Sequence, residues 1–147
     1  MTFPATLKTL QTELVDAHHG YEEALKDTTD SEVAGLIRQI DALHTDAIAE
    51  NHDSLAAAGE PDNEDGSLMS FVHRTVISVR SAITGLGPDS LPSFASGEQR
   101  ILDAYDNAIQ DSQDYPEIAR GLEGQKAKLL AMVARMNAAA ARYSETH

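Results

Sequence analysis

The sequence predicts an all-α fold, a four-helix bundle made of two antiparallel helical hairpins joined by a helical crossover. Three observations carry this expectation. Apolar residues recur at steps of three and four along nearly all of the 147 residues, which is the helix period. No segment alternates apolar and polar residues over a useful length, as a half-buried strand would. The last hairpin repeats the first: Tyr21 aligns with Tyr105, and Glu32 with Glu117 after one residue inserted in the turn. The length suits one domain over residues 1–147, large enough to bury its own core.

The first hairpin is expected over about residues 5–58. Leu7, Leu10, Leu14, Ala17, Tyr21 and Leu25 fall on one helix face. Thr29 and Glu32 fit a capping box that opens the second helix. That helix carries Val33, Ile37, Ile40, His44, Ala47, Asn51 and Leu55 in one series. The polar run Gly59–Gly66 then breaks it. The crossover helix is expected over about residues 66–85, ending at Gly85-Leu86-Gly87-Pro88. The second hairpin is expected over about residues 90–143. Its first helix presents Leu91, Phe94, Glu98, Ile101, Tyr105 and Ile109. Its second presents Ile118, Leu122, Gln125, Leu129, Met132, Met136, Ala139 and Tyr143, with Asp114 as cap and Pro116 in the first turn. Gly35, Gly97, Gly121 and Gly124 lie inside helices, where close helix approach would offset their cost.

Composition narrows function mainly by exclusion. The chain carries 24 acidic and 11 basic residues, a net charge of −13, which repels phosphate backbones and argues against nucleic acid. Residues 1–66 hold 15 of the acids and 3 of the bases, and read as solvated helix faces or as adaptation to a salt-rich cytoplasm. With no Cys, disulfides, thiolate zinc sites and Cys nucleophiles are excluded. No apolar run approaches the roughly 20 residues of a membrane span. Met1–Leu10 lacks the pattern of a secretion signal, so a cytoplasmic location is expected. There is no phosphate-binding Gly-Lys-Ser/Thr loop, nucleophile elbow or His-Glu-x-x-His, and the expectation is a protein without catalytic residues.

Several short motifs carry a family likeness: Gly20-Tyr21-Glu22-Glu23-Ala24-Leu25, Gly66-Ser67-Leu68 with His73-Arg74, Gly97-Glu98, and Ala104-Tyr105. On these the chain resembles the ferritin-like superfamily. It is more closely similar to a bacterial family of ferritin-like bundles catalogued as a domain of unknown function. The resemblance spans about residues 5–140. It implies a bacterial protein in a stress-linked setting.

Ferritin-like metal proteins hold two irons with inward carboxylates and Glu-x-x-His pairs. Here Asp41 and His44 have that spacing, but the repeat offers Lys126 and Leu129 in their place. Glu98 stands in the core series, whereas its repeat mate is Leu14. Counting from the two turns puts Leu14, His44, Glu98 and Leu129 at similar heights, so His44 and Glu98 should face each other with Gln125 one turn away. Two readings remain open for these residues. One is a buried polar cluster of His44, Glu98 and Gln125 that binds no cofactor and fixes helix register. The other is a reduced site for an Fe, Mn or Zn ion, with His18, Asp41, His44 and Glu98 as candidate ligands. The missing half-site argues against a full di-iron centre.

The crossover offers an interaction surface. Leu68, Met69, Phe71, Val72, Val76, Ile77, Val79 and Ile83 cover more than one helix face, which suits a homodimer formed through it. The charge of −13 generates a first prediction. Added salt should screen self-repulsion and raise the melting temperature. Thermal scans at low and high salt that superimpose would contradict it.

Overall fold

The computed structural model describes residues 3–28, 30–58 and 91–146. Among them are four helices and no strand: α1 (Phe3–Asp27), α2 (Ser31–Ala57), α3 (Leu91–Asp111) and α4 (Pro116–Thr146). The crossover helix expected over 66–85 and the loop Gly59–Gly66 lie outside the described residues, as does Thr29.

Each helix packs on two neighbours: α1 on α2 and α3, and α4 on α3 and α2. Cross-helix contacts set the directions. Gln11 reaches the Ile48 carbonyl while His18 reaches Asp41, so α1 and α2 are antiparallel. Tyr21 touches Phe94 while Glu13 meets Arg100, so α1 and α3 are antiparallel. Glu32 meets Arg142 while Asn51 meets Gln125, so α2 and α4 are antiparallel as well. It follows that α2 and α3 are the diagonal pair and run parallel. Ala58 and Leu91 therefore stand at opposite ends of the bundle.

The apolar stripes close on one core. Leu7, Leu10 and Leu14 of α1, Ile37, Ile40 and Leu55 of α2, Leu91 of α3 and Met136 of α4 are completely buried. Each such side chain contributes about 1.5–3 kcal/mol of hydrophobic stabilisation. The α2 series runs unbroken from Val33 to Leu55, with His44 and Asn51 buried among aliphatic residues.

The caps differ from the sequence reading by one residue each. Asp30, not Thr29, caps α2: its backbone is extended (φ −84°, ψ 124°) and its carboxylate accepts the Val33 N–H at 3.0 Å. Asp is at least as good a cap as Thr. The shift takes Glu32 out of the capping-box position, and its carboxylate lies 3.4 Å from the Arg142 guanidinium. At α4 the residue before the helix is Tyr115, whose carbonyl accepts the Ala119 N–H at 3.0 Å. A proline disfavours helical backbone at the residue before it, so the helix opens at Pro116 and Asp114 stands one position too early to cap.

The helical glycines also depart from expectation. A Cβ at Gly35, Gly97 or Gly124 would meet nothing within 4 Å, so no close helix approach depends on them. Of these four, only Gly121 has a near neighbour, the movable carboxylate end of Glu50. Gly97→Ala and Gly124→Ala should therefore each stabilise the protein by about 0.5–1 kcal/mol through helix propensity alone. Chemical denaturation of the two variants checks this, and a loss of stability in either would show a packing role.

Candidate functional site

The middle layer of the bundle takes one residue from each helix: Leu14, His44, Glu98 and Leu129. Steps of three and four place each on its helix's inward stripe, and all four are at most 2% exposed. The layer is half apolar and half polar. Its polar half spans the diagonal between α2 and α3. His44 Nε2 lies 2.8 Å from Glu98 Oε1 and 3.0 Å from Oε2. The Tyr21 hydroxyl, from α1, donates to Glu98 Oε1. With Glu98 as a carboxylate, His44 must donate from Nε2, so both carboxylate oxygens are engaged.

Packing holds these groups in place. The Tyr21 ring stacks near the His44 imidazole, with centroids 6.0 Å apart and planes 19° from parallel. Its other neighbour is Phe94, at 5.5 Å. Burial holds the Tyr21 phenol well above its ordinary range, and the Glu98 charge, the hydrogen bond to Glu98 and the Asp41 charge push it further the same way.

A second, partly buried polar chain crosses the other side. The Tyr105 hydroxyl donates to Gln125 Oε1 at 3.0 Å, and Gln125 Nε2 donates to Asn51 Oδ1 at 3.0 Å. Gln125 thus makes its hydrogen bonds to Tyr105 and Asn51, not to His44 or Glu98 as the sequence reading expected. It sits one turn along α4 from Leu129, where its amide faces α2. Burial, then the charges of Glu98 and Glu50, push the Tyr105 phenol up as well. A small slot of about 40 Å³ between α2 and α4 is lined by Leu43, His44, Ala47, Tyr105, Gln125 and Leu129, with the exposed Asp46, Glu50 and Lys128 at its mouth.

The four candidate metal ligands fall into two separate pairs. His44 is bonded to Glu98 in the core. His18 Nδ1 lies 2.7 Å from Asp41 Oδ1 at the half-buried α1–α2 edge. His18 Nε2 lies 2.7 Å from Glu22, which is 51% exposed. Asp41 is thus turned to α1, although it stands one turn from His44. Among the described residues, no group of three or more His, Asp or Glu is arranged to hold a metal ion. Sequence reasoning missed two members of the polar interior. Both Tyr21 and Asn51 stand in the sequence as positions of a core series, with nothing local to mark a polar partner.

Comparison with known proteins adds one finding. Residues 4–111 match the family model described as Domain of unknown function (DUF2383). No curated protein and no solved structure matches the chain.

The two raised phenols give a signed prediction. The folded state holds these protons more tightly than the unfolded chain, in which tyrosine loses its proton near pH 10. Their contribution is fully present below that pH and is lost as pH rises beyond it. On alkaline titration, Tyr21 and Tyr105 should show phenolate absorbance only as the protein unfolds. Tyr21→Phe should remove one of the late-ionising groups. If all four tyrosines ionise together near pH 10 in folded protein, the buried hydrogen bonds are absent in solution.

Proposed function

The chain belongs to the family described as Domain of unknown function (DUF2383), and we propose that it is a non-catalytic structural or interaction protein with a ferritin-like arrangement of helices. The observation that carries this reading is the state of Glu98. The carboxylate most central in the bundle has both oxygens engaged, one by Tyr21 and His44 together and the other by His44. Its hydrogen-bonding capacity goes to holding three helices in register. The parallel course of α2 and α3 supports the ferritin-like arrangement, because that course requires one long crossover between hairpins.

In this reading the protein works by association, as a homodimer formed through the crossover residues 66–85 in a bacterial cytoplasm under stress. The two-sided apolar pattern from Leu68 to Ile83 supports the dimer. The charge of −13 supports a protein rather than a nucleic-acid partner.

The second reading is a metal-binding or redox protein with a reduced site on His44 and Glu98. What favours it is the meeting of an imidazole and a carboxylate, both suitable donors for Fe, Mn or Zn, on facing helices. The rest of a ferritin-like ligand set does not fit. Lys126 binds Asp106 on the surface, Leu129 packs in the core, and His18 and Asp41 bond each other.

One experiment separates the two readings. Tag-free protein and His44→Ala are titrated with Fe(II), Mn(II) and Zn(II), and their stabilities are compared. The structural reading expects no stoichiometric uptake by either. It also expects His44→Ala to lose about 3–5 kcal/mol, the usual cost of stripping one partner from a buried pair. Stoichiometric binding at micromolar metal that disappears in His44→Ala would replace it with the metal reading.

A further inference from the structure

Glu98 engages only one nitrogen of His44, Nε2. His44 also lines the slot between α2 and α4, together with Tyr105 and Gln125. Polar residues from three helices thus border one small interior space. At roughly 10–15 Å³ per water, its volume of about 40 Å³ has room for about three or four. Apolar cavities stay dry, but a cavity of this size with several polar groups on its walls takes up water. One turn beyond Ala47 along α2, Asn51 is tied to the slot wall through Gln125. Asn51 is 1% exposed, and its Nδ2 is buried with no acceptor among the described residues. Buried N–H groups of this kind are commonly satisfied by ordered water. At the mouth, Glu50 of α2 and Lys128 of α4 are exposed to solvent.

We propose that this slot is a water-binding site and a solvent port. A short file of waters hydrogen-bonds Gln125 and the Nδ1 side of His44, and runs out between Glu50 and Lys128. Through His44, the Tyr21–Glu98–His44 network meets water at this point. The site takes water and excludes larger solutes by its volume.

This inference does not depend on whether Glu98 serves the fold or a metal, and its test is separate from the metal titration. The full-length protein is labelled on alanine methyl groups and histidine rings, and cross-relaxation from long-lived water is recorded by NMR. Water cross-peaks to the Ala47 methyl and the His44 ring are expected in the wild type. Ala47→Leu, which fills the slot, should abolish the His44 cross-peak. Gln125→Met, close in shape but without the amide, should weaken it, and serves where Ala47→Leu fails to fold. Absence of both cross-peaks in the wild type would overturn the proposal. So would a His44 cross-peak that persists undiminished in the variants.

Discussion

Glu98 brings a carboxylate into the middle of an aliphatic bundle, where leaving it without partners would cost several kcal/mol. It is tolerated because Tyr21 and His44 reach it from two other helices. Hydrogen bonds to a charged group are each worth about 1.5–3 kcal/mol. The arrangement stabilises the bundle less than it restricts it. Sliding α3 by one turn, about 5.4 Å, against α1 or α2 would strand the carboxylate among leucines. A bundle of leucines alone would tolerate such shifts far better, so this polar contact sets the register in which the remaining side chains pack.

The repeat within the chain shows how that constraint is distributed. The internal symmetry pairs Glu98 with Leu14 and His44 with Leu129, and all four are buried in one layer. One half of the layer carries the polar pair and the other is plain hydrophobic core. The symmetric tyrosines diverge accordingly. Tyr21 turns its hydroxyl to the opposite hairpin's carboxylate, while Tyr105 turns to Gln125 in its own hairpin. Two similar hairpins thus make different interiors.

Much of this was legible in the sequence. Antiparallel helices rise equally from a turn, so counting from each turn places His44 and Glu98 at one height without coordinates. The α2 stripe could be read residue by residue because His44 and Asn51 interrupt an otherwise aliphatic series at helical spacing. The partner of Tyr21 was not legible. It depends on α1 lying beside α3, and helix adjacency leaves no local mark in a chain. Gln125 was assigned to the wrong cluster for a related reason. Its height was right, but the reach of its amide toward Asn51 is a matter of azimuth, not of spacing. The caps shifted because Thr29 and Asp30 are chemically equivalent candidates, and backbone conformation decides between them.

The placement of the partners along the chain has a consequence for synthesis. Tyr21 and His44 emerge with the first hairpin, whereas Glu98 follows more than fifty residues after His44. A nascent first hairpin therefore presents a phenol and an imidazole on its inner face with no acid to receive them. It cannot complete its interior by local contacts, and the gap closes only when the second hairpin docks from the opposite end of the growing structure. Domains with such long-range closures fold late relative to translation. For this chain, the carboxylate acts as a latch that engages only once α3 has followed the first hairpin.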